Sequence, residues 1–240
     1  MTYPNSLSGL RVAVTGGTSG LGLALVRQFS EAGADVAFTA RTAAAVERTA
    51  MATGAHGIVG DIAAKTDIYL AALQVLGVLG GLDVLVNNAS TLGPVPLSLL
   101  SDTDCEALES ALGVNVVGPF RLTKAVYGAL AGSARQGRKP LVINIVSDAA
   151  VSAYPTWGAY GTSKAALLHM TRIWAEEAKG DGVDFVALDP GDMDTPMHAL
   201  ADPEADPSAL KRPEDSAAEI LSLVRDRLPA IGTARVGETA

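Results

Sequence analysis

Three side chains at fixed spacing carry the most pointed chemistry in this chain: Ser147, Tyr160 thirteen residues on, and Lys164 four residues beyond the tyrosine in Tyr160-Gly161-Thr162-Ser163-Lys164. If the last five residues are helical, the i, i+4 relation puts the phenol and the ammonium on one face. A free phenol titrates near ~10, so it serves as a base at neutral pH only beside a positive charge that favours phenolate. Lys164 supplies that charge. A carbonyl oxygen on its way to an alcohol develops alkoxide character and needs a hydrogen-bond donor and finally a proton. Tyr160 is therefore the candidate acid/base, and Ser147, at the end of an apolar strand-like run, the candidate group that holds the oxygen. A Tyr-x-x-x-Lys pair on its own is a common surface feature, so the assignment depends on what else the chain contains.

The N-terminal region contains a turn suited to phosphate. An apolar run, Arg11 to Thr15, leads into Gly16-Gly17-Thr18-Ser19-Gly20-Leu21-Gly22, and an apolar helical pattern follows at once. Glycines there let backbone amides approach a pyrophosphate at a helix N-terminus, where the macrodipole favours negative charge. A Gly-rich turn alone is weak, but a strand before it and a helix after it point to nucleotide binding.

The spacing Thr-Gly-x-x-x-Gly-x-Gly, together with Asn87-Asn88-Ala89, Ser147, Tyr160-x-x-x-Lys164 and Pro190-Gly191-x-x-x-Thr195, resembles the short-chain dehydrogenase/reductase family over most of the chain. The resemblance implies a hydride-transferring oxidoreductase acting on a small carbonyl or alcohol. It places Gly16, Thr18, Ser19, Gly20, Leu21 and Gly22 around the cofactor pyrophosphate, and Asn88 and Ala89 beside the adenosine ribose. It sets Asp61 near the adenine amino group, and Pro190, Gly191 and Thr195 near the nicotinamide carboxamide. It also sets both Tyr160 and Lys164 against the cofactor, giving Lys164 the nicotinamide ribose hydroxyls, and gives Asn115 a water leading from that lysine to solvent; an interior asparagine also has the capacity simply to kink its helix. Ser90 stands where the family has glycine, which tightens the cofactor passage. Asp61 is equally suited to capping the helix after it.

Cofactor choice turns on the end of the second strand. NAD-preferring relatives carry a carboxylate there for the ribose hydroxyls, whereas this chain has Ala40 followed by Arg41, whose guanidinium suits a 2′-phosphate. NADP(H) is favoured, with NAD(H) possible because the glycine turn holds no basic residue. An NAD-linked alcohol dehydrogenase of the same fold and a redox-sensing nucleotide-binding protein without turnover are the rival functions.

These groups need a scaffold, and apolar β-rich runs alternating with helical patterns supply one. Strands are expected at Arg11 to Thr15, Asp35 to Ala40, Gly57 to Gly60, Leu82 to Asn87, Leu141 to Val146 and Val183 to Leu188. Helices are expected at Leu21 to Gly33, Ala43 to Thr53, Lys65 to Leu79, Asp104 to Ala131, Ala159 to Lys179 and Pro213 to Leu228. Runs such as Val84-Leu85-Val86 are continuous rather than alternating, as strands covered on both faces are. The pattern predicts an α/β, Rossmann-type, doubly wound, mostly parallel sheet with helices on both faces, as one domain over 1–240. An edge strand at Ile231 to Val236 would make seven strands at most. The Pro-rich, acidic stretch from Asp192 to Arg212 reads as a mobile substrate loop. Ser147, Asp148, Ala149, Tyr154, Trp157, Met193 and the loop to Leu210 are the expected pocket lining. Asp192 orients a polar substrate or caps its loop.

Composition excludes several other classes. A formal net charge of −8 offers no basic surface for nucleic acid or anionic lipid, so neither is an expected partner. Cys105 is the sole cysteine and the start lacks a leader pattern, which suits a reducing, cytoplasmic setting. The apolar stretch Ile68 to Leu82 is too short for a membrane span and reads as an amphipathic helix running into a loop. The three histidines are dispersed, so no metal site is expected: His169 reads as a packing residue, His56 as solvent-facing and His198 as a loop residue. The apolar helix from Asp104 to Ala131 resembles family helices that pair across two-fold axes, which implies a homodimer or homotetramer.

Overall fold

In the computed structural model, residues 7–227 are described. Six strands lie in the order β3-β2-β1-β4-β5-β6: β1 Arg11–Thr15, β2 Asp35–Ala40, β3 His56–Val59, β4 Val84–Asn87, β5 Leu141–Ile145 and β6 Asp184–Leu188. Every pairing is parallel, with Val12 beside both Val36 and Val84, and Val84 beside Leu141. The expected strand at Ile231 to Val236 lies outside the described residues.

The continuous apolar runs are explained by period-2 side-chain alternation between two covered faces. Val12 and Val14 of β1 pack on one side against α1 (Gly20–Glu31) and α8 (Pro213–Arg227), while Ala13 between them packs on the other side against α3 (Lys65–Leu79) and α5 (Gly118–Arg135). Val84 and Val86 likewise join the first core, and Leu85 the second. The remaining helices are α2 (Ala43–Thr53), α4 (Cys105–Leu112), α6 (Gly158–Glu177) and α7 (Pro196–Ala201).

Several expectations need correcting. The helix from Asp104 to Ala131 is not one regular helix: α4 and α5 are joined by a π turn over Gly113–Val117. Its register is set by the asparagine it contains, as shown below. The stretch 192–212 is not a bare loop. It holds α7, a 3₁₀ turn at Pro207–Ala209 and a bridge between Met193 and Lys211. α3 buries Ile68, Ala71, Ala72, Val75 and Leu79 but also exposes Tyr69, Leu70, Leu73 and Val78, so its outer face is apolar rather than polar. His169 is exposed and not a packing residue; His56 is exposed as expected.

At the amino end of the strands, away from the site, buried Asp83 ties the start of central β4 to β1 and to the end of α5. It accepts from Arg11 at 2.7 Å and Arg138 at 2.9 Å, and from Ser133. Hydrogen bonds to both arginines and the serine satisfy a carboxylate that would otherwise be costly to bury.

Candidate active site

Strand order reverses between β1 and β4, and in open parallel sheets the crevice at the carboxyl ends beside such a switch point is where ligands bind. A cavity of about 680 Å³ opens there. Of the residues singled out from sequence, Gly16, Thr18, Ser19, Gly20, Leu21, Arg41, Asp61, Asn88, Ala89, Ser147, Tyr160, Lys164, Pro190, Gly191 and Thr195 line it, and Thr195 stands against Gly20 at the start of α1. Gly22 and Asn115 do not reach the wall; each acts on residues that do.

The glycine turn is held by β4. Thr15 Oγ1 accepts from the backbone amides of Asn88 and Ala89, both at 3.0 Å, and Asn88 Nδ2 donates to Thr15 O at 2.9 Å. A Cβ on Gly22 would strike Gly16 O, so a glycine is needed for the turn to close on the helix. Ser19 precedes α1 in extended conformation without a side-chain cap, and the first turn of α1 has no acidic residue. Its free amides therefore remain available to an anion in the cavity. The donor set, the helix terminus and the cavity size together fit a dinucleotide. Asp61 lines the cavity but does not cap α3, whose N-cap is Ala64; its Oδ1 accepts from Ala63 N at 2.9 Å in the turn before that helix.

At the other end, Ser147 lies two residues past β5. Its Oγ accepts from Ala149 N at 3.2 Å and donates to Asp148 Oδ1 at 3.0 Å. Asp148 also accepts from Tyr154 OH at 2.6 Å, and these hydrogen bonds, Tyr154's first, hold its carboxyl below the ordinary carboxylate range. Tyr160 and Lys164 are both buried on α6, with Lys164 Nζ 5.4 Å from the phenol ring centroid and donating to Ile145 O at 2.8 Å. Trp157 packs edge-on to Tyr160 at 5.7 Å. The residue before it, Thr156, has φ +72°, a left-handed conformation that is strained for a β-branched residue and aims the following tryptophan.

Burial sets the protonation of the pair. Desolvation, reinforced by Asp189, Asp148 and Asp192 against a hydrogen bond from Ser147, pushes the Tyr160 phenol up to about 12. Desolvation also pulls Lys164 down to about 7, opposed by the charge of Asp189. Without a ligand, the phenol is firmly protonated at neutral pH.

Asn115 explains the π turn. Its Nδ2 donates to Thr91 O and Ser163 Oγ, both at 2.8 Å, and its Oδ1 accepts from Thr91 N at 2.9 Å and Ser90 Oγ at 3.1 Å. One buried side chain thus ties the β4 loop to the catalytic helix α6, and π turns recur where a helix must present such a group. Ser90 lines the cavity, and its hydroxyl completes the coordination of Asn115.

Sequence reasoning missed Thr91, Leu92, Ser110 and Val114, which line the cavity from the β4 loop, α4 and the π turn. None has a signature of its own. It placed the far end of the substrate loop on the wall, whereas the lining along that loop stops at Asp202. His198 does line the cavity, and Thr195 caps α7 by accepting from its backbone amide at 3.2 Å. Among the described residues, no cluster of three metal-ligating side chains occurs, and no helix is long and apolar enough to cross a membrane.

A nucleotide-sized crevice at the switch point of a parallel sheet, with a buried tyrosine and lysine at one end, defines a dinucleotide-dependent oxidoreductase. Residues 11–206 match the family model for short chain dehydrogenases, and the chain belongs to the short-chain dehydrogenase/reductase family. It is 36% identical over 195 residues to a 2-(R)-hydroxypropyl-CoM dehydrogenase of Xanthobacter autotrophicus, covering 78% of this chain and 76% of that one. It is 35% identical over 234 residues to a rhamnolipids biosynthesis 3-oxoacyl-[acyl-carrier-protein] reductase of Pseudomonas aeruginosa, covering 91% and 90%. Among solved structures, a 3-ketoacyl-(acyl-carrier-protein) reductase from Brucella melitensis complexed with NADH aligns with a TM-score of 0.84 at 26% identity over 91% of both chains. A short chain dehydrogenase from Burkholderia cenocepacia in complex with NADP aligns at 0.78 with 28% identity over 92% of both. The chain is an oxidoreductase enzyme.

Proposed function

We propose that this enzyme interconverts a carbonyl and an alcohol with NADP(H), and that reduction of the carbonyl is the favoured direction. The observation that carries the reading is the convergence of Ser147, Tyr160 and Lys164 on the same cavity as the glycine turn and Arg41. Bound nicotinamide supplies the hydride to the carbonyl carbon. Ser147 donates a hydrogen bond to the carbonyl oxygen and holds it in line. Tyr160, protonated at neutral pH because it is buried, gives its proton to that oxygen as the alkoxide develops. Lys164, held by Ile145 O beneath the ring, holds the nicotinamide ribose hydroxyls and, when charged, makes the phenol easier to ionise. Asn115 is a positioning residue that fixes the β4 loop against α6 and leads a water toward the lysine. The rest of the wall binds cofactor in the roles the family resemblance implies. Thr18, Ser19, Gly20 and Leu21 take the pyrophosphate, Asp61, Asn88 and Ala89 the adenosine, and Pro190, Gly191 and Thr195 the carboxamide. Gly16 and Gly22 shape the turn.

NADP(H) is preferred over NAD(H) because Ala40 offers no carboxylate to the ribose and Arg41 offers a guanidinium at the same cavity end. One domain carries both halves of the reaction, with residues 192–212 as the substrate loop. The enzyme acts in a reducing compartment, the cytoplasm, where a lone cysteine is stable as a thiol. Screening ketones, quinones, sugars and acyl thioesters with NADPH tests the reaction. Cofactor binding with no consumption across that panel would return the chain to the nucleotide-sensing alternative. We also assign a homo-oligomer, a tetramer in preference to a dimer, from the exposed apolar side chains Val117 and Phe120 beside the π turn and Ile173 on α6. Size exclusion with light scattering checks it, and a stable monomer at micromolar concentration would be the contrary result.

A further inference from the structure

The two ends of the cavity differ in charge. At the adenosine end the positive charge of Arg41 is matched by Asp61, and Lys164 is buried under the reacting groups. Around Tyr160 the cavity is lined instead by four carboxylates, Asp148, Asp189, Asp192 and Asp202, with His198 the only basic side chain among them in the described residues. None of the four belongs to an ion pair among the described residues. The substrate loop's own cations are drawn outward: Lys211 pairs with Glu219 at 2.6 Å and Arg212 with Asp215 at 2.6 Å, both acids on α8. Asp148 is held beside Ser147 by its hydrogen bonds to that residue and to Tyr154, so one carboxylate is fixed next to where the substrate oxygen is held. Tyr154 and Trp157 add aromatic surface to the same wall, and aromatic faces attract cations as carboxylates do.

We propose that the substrate end of this cavity selects a carbonyl compound or alcohol bearing an ammonium-type cation and rejects carboxylates and phosphates of similar size. The proposal rests on the oxidoreductase reading above and narrows it to a substrate class. Charges of one sign lining a cleft focus the field on whatever enters, and a like charge brought among them without a partner is disfavoured; the four side chains are exposed, so the effect is open to screening by salt. The reaction itself is unchanged: hydride goes to the carbonyl carbon, the proton from Tyr160 to the oxygen, and the ammonium group stays a spectator among the carboxylates.

The test uses three compounds sharing the acetophenone frame: 4-acetylbenzylamine, 4-acetylbenzyl alcohol and 4-acetylbenzoate. For each, kcat/KM is measured with saturating NADPH, and affinity for the enzyme–NADP⁺ complex is measured separately by calorimetry. The amine should exceed the carboxylate by about tenfold or more in both readouts, with the alcohol between, and the gap should narrow as salt is raised. Asp192→Asn, whose side chain makes no hydrogen bond, and Asp202→Asn should each shrink the amine-to-carboxylate ratio by about threefold. A carboxylate that binds as well as the amine, no binding of the amine, or a ratio unmoved by both substitutions would overturn the proposal. Binding in the expected order without turnover would leave the charge selection standing and sink the reductase reading; turnover without a charge order would do the reverse.

Discussion

At the nucleotide end, Thr15, Gly16, Gly22, Asn88 and Ala89 are locked to one another by side-chain-to-backbone hydrogen bonds and close backbone approach where β1, β4 and the start of α1 meet, with little freedom to change identity. At the substrate end, Asp148, Asp192 and Asp202 are exposed side chains on loops and short turns. On the function proposed above, the first region takes a constant ligand through main-chain amides and a helix terminus, so its requirements are geometric. The second meets a variable ligand through side-chain charge and shape, so its requirements are chemical, and loops held by a rigid sheet are where such variation is tolerated. Tyr160 and Lys164 sit at the junction, on a helix that Asn115 ties to the β4 loop through Ser163.

If the two ends are separable, substitutions should affect one ligand and spare the other. The largest effect is expected for Tyr160→Phe, which removes the proton donor and nothing that touches the nucleotide. Turnover should fall by about 10²–10⁴, the range of general acid–base catalysis, while NADPH affinity stays close to wild type. Steady-state rates and calorimetry on the same preparation decide it, and near-normal turnover would remove the tyrosine from the mechanism. Arg41→Ala should act at the opposite end and more mildly. Losing a charge-assisted contact to phosphate weakens NADPH binding by about tenfold and leaves NADH affinity unaltered. An unchanged preference between the two cofactors would show that Arg41 is only a solvated residue at the start of α2.

The same contrast explains what the sequence could reveal. The glycine turn, Asn88-Ala89 and the Ser147, Tyr160, Lys164 set were legible because backbone geometry and proton chemistry demand particular residue types at fixed spacing. The six parallel strands were legible because burial on both faces leaves continuous apolar runs. The ordered turns within 192–212 were not, since their stability comes from long-range partners: Met193 bridging Lys211, and Ser216 Oγ donating to Pro190 O at 2.9 Å. The π turn left no periodic trace either, because one inserted residue barely disturbs an apolar pattern; only the buried Asn115 within it marked the place. His169 was misjudged because a place about a turn and a half along a catalytic helix from Lys164 says nothing about which face is covered.

The junction itself makes the most specific prediction, a pH dependence of stability in the cofactor-free enzyme. Lys164 titrates near its ordinary 10.5 when unfolded and at about 7 when folded, because burial disfavours its charge. Below about 7 both states hold the proton and the folded state bears the full cost of a buried ammonium. Between about 7 and 10.5 the unfolded chain holds the proton and the folded chain does not, so stability rises with pH, by at most about 1.4 kcal/mol per pH unit. Tyr160 works in the other direction above its ordinary 10.0, since the folded phenol keeps its proton up to about 12 while the unfolded one has lost it. The pair therefore favours the fold most near pH 10. Urea midpoints for the wild type and for Lys164→Met, taken from pH 7 to 10, isolate the lysine from every other titrating group. The wild type should gain on the variant steadily across that window, and a difference that stays flat would mean that Lys164 keeps its proton in the fold, through water or neighbouring charge, and that desolvation does not govern the centre of the site.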